Sequence, residues 1–328
     1  MNYNSFIKLL FTNLRKVKLM SENVIEIKSL VKKYGSFTAV DGISLDIKRG
    51  EVFAFLGPNG AGKTTTVEML ECLKTPTSGS INILGLDIGK DAMKIKEKIG
   101  VLPQSFNAFE WLTVYENVNY FGQMYRQHAD VDKLIKTFGL ADKRNTLFKK
   151  LSGGLKQRVG ITIALINDPD IIFLDEPTTG LDPRARRDVW EAIKDLKSRG
   201  KTVFLTTHYM DEAYYLADMI CILFKGKTIT EGTPEDLINA YGGGNKLIIR
   251  ECSDAAMEEL IKEIPDGKVS GNNLIISLLE GDGMAGISRA VSIINKDNLA
   301  CKEIYIKKST LEDVFLNLTG EKLAEGGH

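Results

Sequence analysis

The sequence predicts an α/β fold with a parallel sheet, followed by a smaller domain of the α+β class. Two observations predict the first part. Short apolar segments such as residues 171–174 are typical of buried parallel strands, and they alternate with helical stretches such as residues 182–199. A third observation separates the second part, because residues 241–245 form a glycine-rich linker. The length of 328 residues suits two domains.

The composition describes a globular protein and excludes several classes. Lysine and arginine number 43 and the acidic residues 43, so the formal net charge is +0, whereas a general nucleic-acid binder carries a basic excess. Hydrophobic residues make up 43% and charged residues 26%, which excludes disorder for most of the chain. No apolar run approaches the roughly 18 residues of a membrane-spanning helix.

The four cysteines lie far apart in the sequence and form no C-x-x-C pair: Cys72, Cys221, Cys252 and Cys301. This spacing predicts neither a zinc site nor a disulfide framework. It favours a reducing, cytoplasmic compartment.

Residues 1–20 form a basic extension with four basic residues and no acidic one. Apolar residues recur there near helical spacing, so one interpretation is an amphipathic segment on a membrane surface. The interpretation that we favour is a dispensable leader, because Met20 offers a second start. We predict domains at residues 21–241 and 242–320, and a flexible tail at residues 321–328.

The elements of the first domain follow from the same patterns. Strands are predicted at residues 24–31, 39–47, 51–56, 170–174 and 202–206, and a helix at residues 63–73. The helix at residues 182–199 has defined ends, because Asp182 fits an N-cap, Pro183 suits the first helical position and Gly200 ends the helix.

After the linker, the predicted elements run strand, helix, hairpin, helix, strand. The strands are at residues 246–251, 267–270, 274–279 and 301–307, and the helices at residues 254–263 and 284–294. This βαββαβ order is the split-βαβ, ferredoxin-like arrangement. A last short helix is predicted at residues 310–318.

A phosphate-binding loop is predicted between a buried strand and a helix. The residues fit G-x-x-x-x-G-K-[ST]: Gly57, Pro58, Asn59, Gly60, Ala61, Gly62, Lys63 and Thr64, with Thr65 following. Glycines allow backbone N–H groups to turn inward around phosphate oxygens, and the helix adds the positive end of its dipole. Lys63 is expected to reach the β- and γ-phosphates of a nucleotide, and Thr64 to hold Mg²⁺.

Two carboxylates end the apolar strand at residues 171–174. Asp175 is placed to organise Mg²⁺ beside the phosphate loop. Glu176 follows directly and is placed to polarise an attacking water.

A second anion-binding helix start is predicted where Ser152, Gly153 and Gly154 precede a helix from about Leu155. Taken alone, the same residues also fit a simple serine N-cap with a glycine turn. The local sequence leaves both interpretations open.

Taken together, these residues resemble the nucleotide-binding subunit of ABC transporters. The further matches are a D-loop that ends in Asp182, a switch histidine at His208, a Q-loop glutamine at Gln104, and Tyr34 as the aromatic that stacks on adenine. The resemblance covers roughly residues 24–241 and implies a P-loop NTPase core with a parallel sheet, an antiparallel β subdomain and a helical subdomain.

The resemblance also implies a mechanism. ATP would lie in a head-to-tail homodimer, between Lys63 and Thr64 of one subunit and Ser152, Gly153 and Gly154 of the other. It further implies that Glu176 is the general base, that His208 contacts the γ-phosphate, that Asp182 links the two sites, and that Mg²⁺ is held by Thr64, Gln104 and Asp175. Leu155 departs from the glutamine that usually ends the signature, and a competent site is still expected without its side-chain hydrogen bond.

Residues 242–320 resemble the accessory domain of drug-resistance-type and lipid-transport-type ABC subunits. This implies an exporter subunit at the cytoplasmic face of the membrane, with a separate transmembrane permease. The balanced charge predicts no nucleic-acid partner. The domain is expected to be regulatory, and the alternative is that it only pads the edge of the core.

A soluble ABC ATPase acting on DNA, ribosomes or iron–sulfur assembly is the alternative function. The chromosome-repair type inserts a long coiled coil, but the stretch between Lys63 and Ser152 contains no heptad run. The excision-repair type needs zinc cysteines, the translation-factor type carries two cassettes, and the iron–sulfur type lacks the second domain.

Overall fold

The structure is a computed structural model that describes residues 23–264, 266–278, 283–296 and 300–321. The basic extension at residues 1–20 and nearly all of the tail lie outside the described residues. The chain divides into two compact units, the first ending at Pro234 and the second beginning at Glu235.

The first unit begins with an antiparallel sheet in the order β2-β1-β4-β5. Its strands are β1 (Asn23–Tyr34), β2 (Phe37–Lys48), β4 (Ser78–Ile83) and β5 (Leu86–Asp87). Tyr34 pairs with Phe37 where β1 turns into β2.

A six-stranded sheet in the order β10-β9-β3-β8-β7-β6 forms the centre of the first unit. Its strands are β3 (Val52–Leu56), β6 (Ile99–Leu102), β7 (Ile171–Asp175), β8 (Thr202–Thr207), β9 (Met219–Phe224) and β10 (Lys227–Gly232). Strand β10 is antiparallel to β9, and the other neighbours are parallel. The predicted parallel sheet is confirmed.

The helices of the first unit cover the sheets or lie between β6 and β7. They are α1 (Lys63–Leu70), α2 (Ala92–Lys96), α3 (Val114–Gly122), α4 (Val131–Thr137), α5 (Gly153–Ala164), α6 (Pro183–Ser198) and α7 (Met210–Leu216). Helix α1 is shorter than predicted, because Cys72 has a φ of 57° and the chain leaves helical geometry there. Helix α5 starts two residues before the predicted position, because Ser152 is its N-cap.

The core lies around β3, β7 and β8, in which every residue is buried. The ring of Phe204 lies 5.5, 5.0 and 5.6 Å from the rings of Phe53, Phe55 and Phe173. Burying such a side chain is worth about 1.5–3 kcal/mol. Continuous apolar strands are what a sheet covered on both faces requires.

The second unit contains a four-stranded antiparallel sheet in the order β12-β13-β11-β14. Its strands are β11 (Lys246–Arg250), β12 (Lys268–Ser270), β13 (Asn273–Ser277) and β14 (Glu303–Lys307), and its helices are α8 (Pro234–Tyr241), α9 (Asp254–Glu263), α10 (Gly283–Lys296) and α11 (Leu311–Thr319). Strands β11 to β14 and helices α9 and α10 have the predicted split-βαβ order.

The glycine-rich linker is tied to the second unit. The Ser309 hydroxyl donates to the carbonyls of Gly242, at 3.0 Å, and Gly244, and the Asn317 amide donates to the Tyr241 carbonyl at 2.8 Å. Helix α8 therefore groups with the residues that follow it, although the sequence placed the boundary after Tyr241. No helix in the described part of the chain is both long enough and apolar enough to cross a bilayer.

Candidate functional site

The phosphate loop runs from the end of β3 to the start of α1, and two of its glycines, Gly57 and Gly62, are sterically required. A Cβ atom on Gly57 would lie 2.3 Å from the Leu223 carbonyl oxygen, and one on Gly62 would lie 2.5 Å from the Ala39 carbonyl oxygen. Gly62 also has a φ of 101° and precedes α1 without a side-chain cap. The helix start therefore keeps backbone N–H groups available for an anion.

Lys63 points back over its own loop. Its Nζ donates to the carbonyl oxygens of Gly57 at 2.7 Å and Pro58 at 3.2 Å, and lies 3.3 Å from Glu176 Oε1. Burial lowers the pKa of Lys63, while the neighbouring carboxylates of Glu176 and Asp175 oppose that shift. The Lys63 cation is thus held by two backbone carbonyls and a carboxylate.

Glu176 is held from several sides at the end of β7. Its Oε2 accepts from the Gln104 amide and the Thr179 hydroxyl, each at 3.1 Å, and lies 3.3 Å from His208 Nδ1. Burial alone would raise its pKa, but the nearby His208 ring and the Lys63 cation outweigh burial and lower the pKa to about 2. The carboxylate is therefore ionised throughout the physiological range.

The backbone of Glu176 is strained. Its φ is 48°, in the left-handed region that a residue with a Cβ avoids. Such a conformation costs about 1–3 kcal/mol and persists only where neighbouring groups hold it. Here the Glu176 N–H donates to the Thr206 hydroxyl at 3.0 Å.

Asp175 lies beside Thr206, because β7 and β8 are neighbours in the sheet. The Thr206 hydroxyl donates to Asp175 Oδ1. Burial raises the pKa of Asp175, and hydrogen bonds from Thr206 and Thr64 oppose that rise. Thr206 thus contacts the side chain of Asp175 and the backbone of Glu176. The sequence around Thr206 does not indicate either contact.

Asp175 and Thr64 together fit a magnesium site. Both supply oxygen, the ligand type that Mg²⁺ prefers, and the ion usually takes one or two protein carboxylates plus substrate phosphates. Thr64 lies close enough to Asp175 for its hydroxyl to lower the pKa of that carboxyl. Gln104 instead contacts Glu176 in this structure.

One cleft of about 320 Å³ collects most of the predicted nucleotide-binding residues. Its lining comprises Tyr34, Phe37, Ala39, Pro58, Asn59, Gly60, Gly62, Lys63, Thr64, Thr65, Gln104 and Glu176. Tyr34 is 44% exposed and Phe37 63% exposed at its mouth. Phe37 is not among the residues predicted for this cleft. Its pairing with Tyr34 across the β1–β2 turn is the feature that could have identified it.

The signature residues are not part of that cleft. Ser152 and Gly153 are exposed, and the Ser152 hydroxyl accepts from the Leu155 N–H at 3.5 Å as the N-cap of α5. The serine-cap interpretation therefore describes the structure, and it leaves the exposed helix start available to an anion. Leu155 takes part in this cap through its backbone N–H, so the cap does not depend on its side chain.

Asp182 lies at the start of the helix that packs against the signature. Its carboxylate caps α6 by accepting from the backbone N–H groups of Arg184 and Ala185, each at 3.0 Å. A Cβ atom on Gly154 would lie 2.7 Å from the Ala185 Cβ. The D-loop and the signature thus form one packed surface within a subunit.

A buried network that the sequence did not predict lies behind the acid pair. Glu212 on α7 is fully buried, and its Oε1 accepts from the Thr178 hydroxyl at 2.7 Å and from Trp190 Nε1 at 2.9 Å. Burial raises the pKa of Glu212, with the hydrogen bonds opposing. The network joins the loop after Glu176 to α6 and α7.

The chain is similar to known ATP-binding proteins along most of its length. A family model described as ABC transporter matches residues 40–179. The daunorubicin resistance ATP-binding protein DrrA3 of Streptomyces coeruleorubidus is 35% identical over 309 residues, which cover 92% of this chain and 98% of the relative. The Nod factor export ATP-binding protein I of Paraburkholderia xenovorans (strain LB400) is 37% identical over 312 residues, which cover 93% and 100%.

A solved structure agrees with the first unit. A dimeric ATP-binding cassette in a post-hydrolysis state, bound to ADP and Pi, is 32% identical with a TM-score of 0.58, and the match covers 64% of this chain and 98% of that chain. The phosphate loop, the acid pair and this likeness agree on an ATPase fold. The chain therefore belongs to the ABC transporter family, as an ATP-binding subunit that hydrolyses ATP.

Proposed function

We propose that two copies of the chain bind ATP head to tail, and that closure of this dimer powers export through a separate transmembrane subunit at the cytoplasmic face of the membrane. One observation carries the shared site. Lys63, Thr64 and Glu176 line one cleft, whereas Ser152 and Gly153 are exposed at a separate helix start. Each surface offers half of a phosphate-binding site, and a second copy supplies the other half.

The exposed Tyr34 ring would stack on adenine, and the loop from Gly57 to Gly62 would receive the phosphates. Lys63 would then exchange its contact with Glu176 for one with phosphate oxygens. Loss of the cation and arrival of negative charge both raise the pKa of Glu176. ATP binding thereby converts a weak base into one able to accept a proton.

Mg²⁺ would be held by Thr64 and Asp175, with Gln104 completing the set. When bound, the ion neutralises charge on the phosphate oxygens. The residues of the chain have separate tasks. Glu176 would take the proton of the attacking water, and Thr179 fixes its carboxylate.

His208 would donate to the γ-phosphate where charge develops. It follows β8 and lies beside Glu176, so it reaches the same reacting group. Asp182 would link the two ATP sites of the closed dimer, because it begins the helix that packs on the signature. Closure of the dimer would exclude water from the site.

Export is supported by the names of the relatives, which refer to drug resistance and Nod factor export, and by full-length similarity to them. A surface for the membrane subunit is offered by exposed apolar side chains in the helical segment after Gln104. They are Phe109, Trp111, Tyr120 and Met124, exposed by 46, 73, 42 and 61%. Exposed apolar patches commonly mark protein interfaces. The soluble ABC ATPase alternative gains no support from these observations.

Mixing two inactive variants tests the shared site. Ser152→Arg blocks the signature, and Lys63→Ala removes a phosphate contact. A mixed dimer keeps one site in which both halves are intact, so equimolar mixing should restore a substantial fraction of wild-type turnover. Each variant alone at the same total concentration is the control.

Turnover in the mixture that equals the mean of the two separate variants would contradict the shared site. A Lys63→Ala subunit mixed with a Ser152→Arg, Lys63→Ala subunit is the matched negative control, because no mixed dimer then has an intact site.

A further inference from the structure

Cys252 and Cys301 are distant in the sequence but adjacent in the second unit. Their Sγ atoms lie 2.8 Å apart. The antiparallel register of β11 and β14 pairs Arg250 with Glu303, and continuing it past the ends of the strands sets Cys252 opposite Cys301. The Ser253 N–H donates to the Ala300 carbonyl at 2.9 Å and fixes the two segments there.

This register suits a covalent link. Residues directly opposite in an antiparallel pair have Cα atoms about 4.5–5.5 Å apart. Disulfides need Cα atoms about 4.4–6.8 Å apart. The backbone therefore needs little movement for the two sulfur atoms to join.

The two thiols differ in access. Cys252 is 2% exposed, and burial, followed by its contact with Cys301, raises its pKa to about 12. Cys301 is partly exposed, and both cysteines border a shallow surface cavity of about 490 Å³ with Asn272 and Lys302 on its rim. A small thiol reagent can approach Cys301 from this cavity.

We propose that Cys252 and Cys301 form a dithiol site that low-molecular-weight disulfides convert into a disulfide. The Cys301 thiolate attacks one sulfur of the reagent, which forms a mixed disulfide and releases one thiolate. Cys252 then gives its proton to water and attacks Cys301 Sγ, which releases the second thiolate. Two protein thiols are oxidised, and one small disulfide is reduced to two thiols.

The bond closes a loop from residue 252 to residue 301 that contains α9, β12, β13 and α10. Linking residues that far apart restricts the unfolded chain and stabilises the folded state. The expected consequence is a second unit that resists unfolding and proteolysis in its oxidised form. Cysteine spacing in the sequence does not identify this pair, because the register of β11 against β14 brings the two residues together.

Oxidised glutathione added to the folded full-length chain tests the proposal. A Cys72→Ser background removes the other partly exposed thiol. We expect a mass loss of two hydrogens, a peptide that joins Cys252 to Cys301, a higher midpoint of thermal unfolding and full reversal by a dithiol reductant. Cys252→Ser in that background should instead keep a glutathione adduct on Cys301.

Three outcomes would overturn the proposal. The first is a stable glutathione adduct on Cys301 while Cys252 is present. The second is a link that forms only after denaturation. The third is a Cys301→Ser chain that takes up as much glutathione as the Cys252→Ser chain. Each outcome is read by intact mass and peptide mapping, so none depends on ATPase activity.

Discussion

Lys63 Nζ lies 3.3 Å from Glu176 Oε1, and their side chains are only 4% and 5% exposed. The Lys63 cation and the Glu176 carboxylate therefore neutralise each other in a buried place. The contact replaces some of the interactions that each group would otherwise make with water, whose loss on burial is unfavourable. In the proposed mechanism ATP separates the pair, which would couple substrate binding to the basicity of Glu176.

Glu176→Gln should nearly abolish ATP turnover while ATP binding survives. A positioned general base contributes about 10²–10⁴-fold, and glutamine keeps the shape and can still accept from Gln104 and Thr179. Turnover and the affinity for a fluorescent ATP analogue should be measured on the same preparation. Turnover within a few-fold of wild type would exclude Glu176 as the base.

Glu71→Gln should stabilise the protein increasingly as the pH rises. Burial, with repulsion from Asp175 and Glu68, raises the pKa of Glu71 from 4.5 to about 8. The folded state holds a proton that the unfolded state has released. The free energy of unfolding of the wild type therefore falls between pH 4.5 and about pH 8, by about 1.4 kcal/mol per pH unit.

Thermal unfolding from pH 5 to 9 checks this pH dependence. The Gln variant lacks the titration, so the difference from wild type should grow across the window and then level off. Glu110→Gln is the control for loss of an exposed carboxylate. A difference for Glu71→Gln that stays constant with pH would refute the buried-proton explanation.

Much of the first unit could be predicted because its signals are local. The phosphate-loop motif from Gly57 to Thr64 and the capping of α6 by Asp182 involve residues close in sequence, whereas the steric need for Gly57 and Gly62 comes from the distant carbonyls of Leu223 and Ala39. The contacts of Thr206 with both acids could not be predicted, because they depend on β8 lying beside β7. The burial of Glu212 likewise depends on how α7 packs against α6.

The second unit shows the same division. The order of its elements was readable from alternating patterns, whereas the proximity of Cys252 and Cys301 required the register of β11 on β14. The structure also groups α8 with this unit, whereas the domain boundary predicted from the sequence is after Tyr241. Leu237 is 2% exposed, but its contacts are not evident from the sequence around it.

Truncation after Thr233 should leave nucleotide binding intact and change turnover or dimerisation several-fold. The first unit has its own core and contains the whole cleft. Truncation after Tyr241 is the matched comparison, and should be less stable because the end of α8 then loses its hydrogen bond to Asn317. If turnover, dimerisation and coupling to the membrane partner all stay unchanged, the second unit only pads the core.

Trp111→Ala should weaken coupling to the membrane subunit while the ATPase activity of the isolated chain stays within about two-fold. Trp111 is 73% exposed, has Lys149 Nζ at 2.9 Å from its ring centroid, and does not line the cleft. Exposed aromatics of this kind are enriched among residues that dominate binding. Ile229→Ala, at an exposed site on β10, is the control. Equal co-purification of both variants with the membrane subunit would argue against this surface.

The chain has two tryptophans, and they occupy opposite environments. Trp111 faces solvent, whereas Trp190 is buried, stacks near Tyr215 at 5.0 Å and donates to Glu212. Glu212 also accepts from Thr178, two residues after Glu176. A Trp111→Phe chain would therefore keep Trp190 as its single tryptophan, linked through Glu212 to the loop after Glu176. Selective excitation of tryptophan would then follow that loop during turnover, through the wavelength and lifetime of the emission, without any attached dye.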